Sequence, residues 1–330
     1  MGAQTKFGRE VEALVPGGGE GLDLPEAIRA EWDALPTHRE SPSSIVSFLE
    51  CPLKWFAERH LEKMHAATGE TLLGITEFTK QPPNQWAVGG TLAHRALEVF
   101  YSDPPDFRTQ ELLEDIYDFA WERLDRGDWS DGIVSKSMVK DYNTMLKSID
   151  QPLKSFKARF RSTYRDITLA DLDMEKPPAV RVEGNESFIN MKRGRMTVFG
   201  KIDREDLTLK GGIKIVDYKT GRAPAGEISV FNKTFLPAGI YALARTEETE
   251  GLPTARPVVG VQLLYLKELE RCSIGVDDEV LDDVSDIVEM VEREMGEIGR
   301  CGVVPTAPAK SLNDMPCKWC PLREICPEWN

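Results

Sequence analysis

GKIDRED (Gly200–Asp206) and KIVDYKTG (Lys214–Gly221) stand one short turn apart in the chain. Each couples an apolar, β-branched lead-in to charged residues, the pattern of a strand that delivers its end to solvent. Strand side chains alternate between faces, so Asp217 and Lys219 project to one side while Tyr218 points away. If the two stretches are hairpin neighbours, Asp203 brings a second carboxylate to the same edge. Two carboxylates are hard oxygen ligands suited to Mg2+ or Mn2+, and a nearby Lys orients or deprotonates a water and balances phosphate charge. The plainer alternative is a surface ion pair that caps a strand before the Thr220–Gly221 turn, which a D-x-K tripeptide standing alone more often is.

Working outward, residues 179–190, 196–206, 212–218 and 257–267 are short, β-branched and broken by turns such as MKRGR and LKGG, so they read as strands. Helical patterns at 237–247 and 278–298 surround them. In the latter, Val280, Val284, Ile287, Val291 and Met295 recur at helical spacing and leave a solvated acidic face. The predicted fold is α/β with a mixed central β-sheet flanked by helices. Ahead of it, SPSSIVSFLECPLKWFAERHL starts a helix that Ser41 or Ser43 can cap, with Ile45, Phe48 and Leu49 as its apolar stripe. A second helix carries VGGTLAHRALEVFY. Residues 105–178 read as a helical insertion, with Leu113, Ile116, Ala120 and Leu124 on one face and Gly127 as a stop. Residues 1–40, with VPGGGEG and the short helix LPEAIRAEWDAL, read as a loosely attached leader, and 41–330 as a single domain ending in an irregular, Cys-bearing tail at 301–330.

The 330 residues suffice for a full core, and the residues AVILMFWYC make up 41% of them. No apolar run approaches the roughly 20 residues of a membrane span, and the start lacks the pattern of a signal peptide, so the expected location is intracellular, in the cytoplasm. A net charge of -14 argues against a protein that coats nucleic acid nonspecifically, which needs many cations facing phosphates. It leaves room for an enzyme whose bound divalent ions supply local positive charge. Cys317, Cys320 and Cys326 follow the spacing C-x2-C-x5-C, which is metal-ligand spacing. Iron–sulfur clusters and structural zinc both take four ligands, and thiolates serve either. Cys272 and Cys301 have no partner spacing and are expected to be buried thiols.

Taken together, GxxxH on a helix (Gly90 to His94), GxIDR, an apolar strand ending in DYKTG and a closing CxxC with a further Cys resemble the motif order of RecB-like nucleases of the PD-(D/E)XK superfamily. These include the nuclease domains of RecB and AddB and the CRISPR-associated exonucleases. The resemblance runs from about Ser41 to Cys326. It implies a metal held by His94, Asp203, Asp217 and the backbone carbonyl of Tyr218, with Lys219 catalytic. Glu98, one turn after His94, would bind a second metal or orient the His. Tyr241 matches the Tyr of the family's Q-x-x-x-Y, but Pro237 stands at the Gln position, with Gln262 a candidate substitute. The resemblance also supplies a fourth thiol, Cys51 in its Cys-Pro-Leu context. Cys51, Cys317, Cys320 and Cys326 would hold a [4Fe–4S] cluster, with structural Zn2+ as the alternative, and would fasten the tail to Cys51.

The expected function is a Mg2+- or Mn2+-dependent deoxyribonuclease, an exonuclease acting on single-stranded DNA or on the ends of duplexes in recombination, repair or end processing. No phosphate-binding G-x-x-x-x-G-K-[ST] loop occurs, so a helicase or recombinase partner is expected, and the compact size suits a phage-encoded or stand-alone enzyme. Two rivals stand: a non-catalytic DNA-binding subunit on the same scaffold, and a zinc-stabilised interaction protein. For the DNA path, KSFKARFRSTYR places Phe156, Phe160 and Tyr164 at helical spacing beside Lys157, Arg161 and Arg165, although such a stripe is more often core. Lys192, Arg193 and Arg195 of MKRGR form a second candidate.

Overall fold

The computed structural model describes residues 21–72, 74, 82–177, 180–224, 234–253, 255–306, 320, 322 and 326. Its centre is a long hairpin of β3 (Val182–Arg193) and β4 (Met196–Leu207), which turns at Gly194 with φ 50°. β3 occupies one edge of β4 along its whole length. The other edge is shared: β2 (His38–Glu40) runs parallel to Met196–Val198, and β5 (Ile213–Lys219) runs antiparallel to Arg204–Leu207. Residues 199–203 on that edge lie between the two partners and pair with neither. β6 (Val258–Tyr265) is parallel to β5, and β7 (Glu270–Gly275) is antiparallel to β6, completing a mixed six-stranded sheet. The parallel β5–β6 pair requires a crossover, which α9 (Leu236–Thr249) supplies.

Alternation along β5 and β6 divides the interior into two layers. Ile213, Ile215 and Leu263 enter one core with Ile28, Trp32, Phe48, Trp55 and residues of α9 and α10 (Asp278–Cys301). Val216, Tyr218 and Leu264 enter the other, built by α5 (Gln85–Ser102), α6 (Gln110–Arg126), α7 (Lys136–Lys147) and α8 (Leu153–Met174). Strands with helices on both faces read as nearly continuous apolar runs, as IKIVDYK does. On α10 the predicted stripe is inward, with Val284, Ile287, Val291 and Met295 fully buried. Asp277 caps its start, accepting from the Val280 N–H at 3.0 Å. Gly127 ends α6 in the left-handed region at φ 70°, where a residue without Cβ is unstrained.

Three expectations are corrected here. From residue 21 on, the stretch read as a loose leader is part of the fold. β1 (Leu22–Asp23) pairs with β8 (Val303–Val304), and α1 (Glu26–Ala34) buries Ile28 and Trp32 against α10, where the Trp32 indole donates to the Met295 carbonyl at 3.2 Å. β2 then fills an edge of β4 that would otherwise expose unpaired backbone groups. Second, most cations of the two basic stretches are engaged in ion pairs within the chain. Phe156, Phe160 and Tyr164 are core, while Lys157 pairs with Asp125, Arg161 with Asp118 and Arg165 with Glu114. In the hairpin turn, Arg193 pairs with Glu247 and Arg195 with Asp33. Third, Cys301 is exposed, because it closes α10 on the solvent side, whereas Cys272 is buried in β7.

Candidate active site

The site assembles in the unpaired stretch of the β4 edge. Asn84 caps α5, its side-chain oxygen accepting from the Trp86 and Ala87 N–H groups at 3.0 Å each. Two glycines then set how close the helix comes. A Cβ on Gly89 would lie 2.1 Å from the Tyr164 ring of α8, and one on Gly90 would lie 2.9 Å from Oγ1 of Thr220, just past β5. One turn beyond Gly90, His94 presents Nδ1 to Oδ2 of Asp203 at 3.2 Å. The same Asp203 oxygen accepts the Tyr218 N–H at 2.9 Å. One step beyond the Arg204–Val216 pair, the antiparallel ladder sets Asp203 across from Asp217, whose carboxylate pairs with the Lys219 ammonium. From the far side, α9 lays the Tyr241 ring on Gly200, where a Cβ would be 2.7 Å from Cε1. The Lys201 backbone hydrogen-bonds its hydroxyl.

The two carboxylates, though neighbours, are pushed in opposite directions. Burial acts to raise Asp203, but the adjacent His94, the Tyr218 N–H and Lys219 outweigh it and hold the acid at about 2. Asp217 is raised, by burial first and by repulsion from Asp203, which its pairing with Lys219 offsets only in part. Burial would lower both cations, yet the acids beside them win and raise His94 and Lys219. Burial and the charges of Asp217 and Asp203 raise the Tyr241 phenol.

Behind the acids lies a buried network that the sequence did not disclose. Arg204, next to Asp203 but on the opposite face, is wholly buried. It donates to Asp206 at 2.8 and 2.9 Å, to Glu175 at 2.8 Å and to the Tyr218 hydroxyl. Its guanidinium also lies over the Tyr101 ring at 4.2 Å. The network thus grips the ring of the residue whose N–H holds Asp203 and which separates Asp217 from Lys219. Glu186 is a second residue missed. It adopts φ 54°, rare for a side chain with Cβ, pairs with Lys201, and is raised by burial and by the nearby charges of Glu98 and Asp203. Glu98 lies on the stripe of α5 below His94 and pairs with Arg95. Pro237 sits in the first turn of α9, where a missing N–H costs nothing. Gln262 bonds Lys214 and Ser273 within the sheet, so it does not take the place of the absent Gln.

The chain matches the PD-(D/E)XK nuclease superfamily over residues 39–327. It belongs to that superfamily. No curated protein matches it. Membership in the PD-(D/E)XK nucleases brings a metal-dependent nuclease chemistry, which usually uses Mg2+ or Mn2+, and DNA as the substrate class. The mixed sheet with its flanking helices fits their fold.

Among the described residues, Cys51, Cys320 and Cys326 included, no three His, Cys, Asp or Glu side chains converge as ready metal ligands, and at the acid site His94 and the Lys219 ammonium lie against the two acids. The donor set nevertheless fits a hard divalent cation. Two half-buried carboxylates face each other beside an imidazole, and the repulsion that raises Asp217 is what a cation between them would relieve. Of the cysteines, Cys51 is buried at the junction of α2 (Pro42–Glu50) and α3 (Pro52–Phe56), and Cys320 packs against the same apolar core beside Leu322. Cys326 is half-buried, and Cys317 lies outside the described residues. Among the described residues no helix is long and apolar enough to cross a membrane.

Proposed function

We propose that the protein is a Mg2+- or Mn2+-dependent DNA exonuclease of the RecB-like branch, hydrolysing phosphodiester bonds at DNA ends. The observation that carries the reading is the meeting of the half-buried Asp203 and Asp217 in one spot, with His94 against the first and Lys219 against the second. His94, Asp203, Asp217 and the Tyr218 carbonyl would hold the metal, which supplies Lewis-acid polarisation of the scissile phosphate. The chain's own groups do the rest. The Lys219 ammonium neutralises a non-bridging phosphate oxygen and orients the attacking water. The Tyr218 N–H and the Arg204 network keep Asp203 from rotating away. Tyr241 walls the site and excludes bulk water. Action at ends, in recombination or repair, is supported by the order of motifs, and a separate helicase or recombinase would supply the unwound strand.

On this reading, 41–330 is one nuclease domain, 105–178 an insertion in it and 301–330 a tail that Cys51, Cys317, Cys320 and Cys326 close around a [4Fe–4S] cluster. That the buried Cys51 and the half-buried Cys320 pack on the same apolar core supports that closure. Incubation of end-labelled single- and double-stranded DNA with Mg2+, Mn2+ or chelator tests the nuclease. Lys219→Ala and Asp217→Ala are expected to lose at least about a hundredfold in cleavage while unfolding at wild-type temperature. Undiminished cleavage in either variant would end the mechanism. A colourless protein with stoichiometric zinc would end the iron–sulfur assignment in favour of a structural zinc site.

A further inference from the structure

Trp86 is the second residue of α5, 47% exposed, and held in place from two sides. The buried ring of Tyr164 meets the indole at 6.3 Å and 68°, and the exposed Lys267 sets its ammonium 4.7 Å from the ring centroid. Among the described residues no carboxylate pairs with that ammonium. Both partners are tied to the acid site. Trp86, Gly90 and His94 follow one another at four-residue steps on one stripe of the helix, so the indole stands about 12 Å along the axis from the imidazole. Lys267 follows Leu266, whose N–H donates to the Lys219 carbonyl at 2.9 Å. Lys157, Arg161 and Arg165 of the basic helix are engaged in ion pairs, whereas Trp86 and Lys267 together offer an aromatic surface and a cation adjoining the site.

We propose that Trp86 and Lys267 form a stacking platform for an unpaired nucleobase of the strand being cut, the indole taking the base and the ammonium its phosphate. The proposal rests on the nuclease reading and deepens it. Every base offers a π face, so such a platform accepts any sequence, but a base stacked within a duplex cannot reach it. The strand at this position is therefore single.

Binding of an end-labelled oligothymidylate to the full chain in chelator, where nothing is cut, tests the platform. Trp86→Ala is expected to weaken binding by about tenfold, the scale of one base–aromatic stack. Trp86→Leu should behave like Trp86→Ala, and Trp86→Tyr like wild type. Phe107→Ala, which removes an aromatic 66% exposed beyond the other end of α5, should change nothing. A strand of abasic sugars should bind wild type and Trp86→Ala equally. The platform is overturned if Trp86→Ala holds the base-bearing strand as tightly as wild type, or if it loses the abasic strand to the same extent. A wild type that cuts and binds DNA with an indifferent Trp86 removes the platform alone. One that neither binds nor cuts DNA with either metal removes the nuclease reading as well. Exposure of the side chain makes the variants safe to fold, and unchanged thermal unfolding confirms it.

Discussion

Single residues in this protein are tuned by what they are buried with. Asp203 and Asp217 share a site, yet one is stripped of its proton by an imidazole and a backbone N–H while the other is pushed toward keeping it. A second tuned cluster lies by β2, away from the acids. His38 stacks on Trp32 at 4.2 Å, and Glu40 accepts from Trp55 at 3.2 Å and lies 3.2 Å from Arg59 and 3.5 Å from His60. Burial first, then the nearby Arg195 and His60, lowers His38 from 6.5 to about 4, despite the opposing pull of Glu40 and Asp33. In the unfolded chain this His protonates near 6.5 while in the folded one it does not, so stability falls as pH drops from about 6.5 to about 4. The drop is worth about 3 kcal/mol. His60, also lowered chiefly by burial, adds to the loss in the same direction. Thermal unfolding between pH 7 and pH 5 should show it, and His38→Phe, which keeps the stack but cannot titrate, should flatten the slope. The pair Asp217–Lys219 was legible in sequence because strand alternation puts the two on one face, and Asp203 because the two stretches pair as neighbouring antiparallel strands. Arg204, Glu186 and His38 were not, because each owes its role to residues that only the tertiary fold brings near.

At the scale of elements, the decisive contact is α5 against β5 and α8, and the sequence marks it only as two adjacent glycines. Replacing Gly in a helix by Ala usually gains up to about 1 kcal/mol. At Gly89 that gain is reversed, because the new methyl would stand 2.1 to 2.2 Å from three carbons of the Tyr164 ring, itself locked in the core. A net cost of about 1–3 kcal/mol is expected for Gly89→Ala, read as a lower urea midpoint with unchanged slope. Gly90→Ala meets only the Thr220 hydroxyl, at 2.9 Å, so its stability should stay near wild type. Its cleavage rate should fall instead, since a helix lifted from Thr220 carries His94 away from Asp203. An equal loss of stability at both positions would contradict this division. The helices and the long strands were readable from periodicity. The short β2 and the β7 edge strand were not, since three to six residues of mixed character carry too little pattern to stand out.

Across the described residues, a six-stranded sheet is closed between two helical layers, and residues 21–40 and 303–304 are woven into the same layer. α1 packs on α10, β1 pairs with β8, Arg29 donates to the carbonyls of Gly299 and Arg300 at 3.0 and 2.6 Å, and β2 pairs with Met196–Val198 at the start of β4. The glycine-rich start suggested a loosely attached leader because composition reports on local order and is silent about distant docking. The structure reverses the expectation in a measurable way. Trp32 is 1% exposed amid Trp55, Phe56 and His60, so Trp32→Ala should cost about 3–5 kcal/mol. Removal of residues 1–40 should do more, stripping a strand from β4 and baring the α10 stripe to water. That shortened chain is expected to bind a dye for exposed apolar surface and to unfold without a sharp transition, whereas a true leader could be removed with no change in either measurement. Because the same β4 strand carries Asp203, nuclease activity should be lost together with the transition.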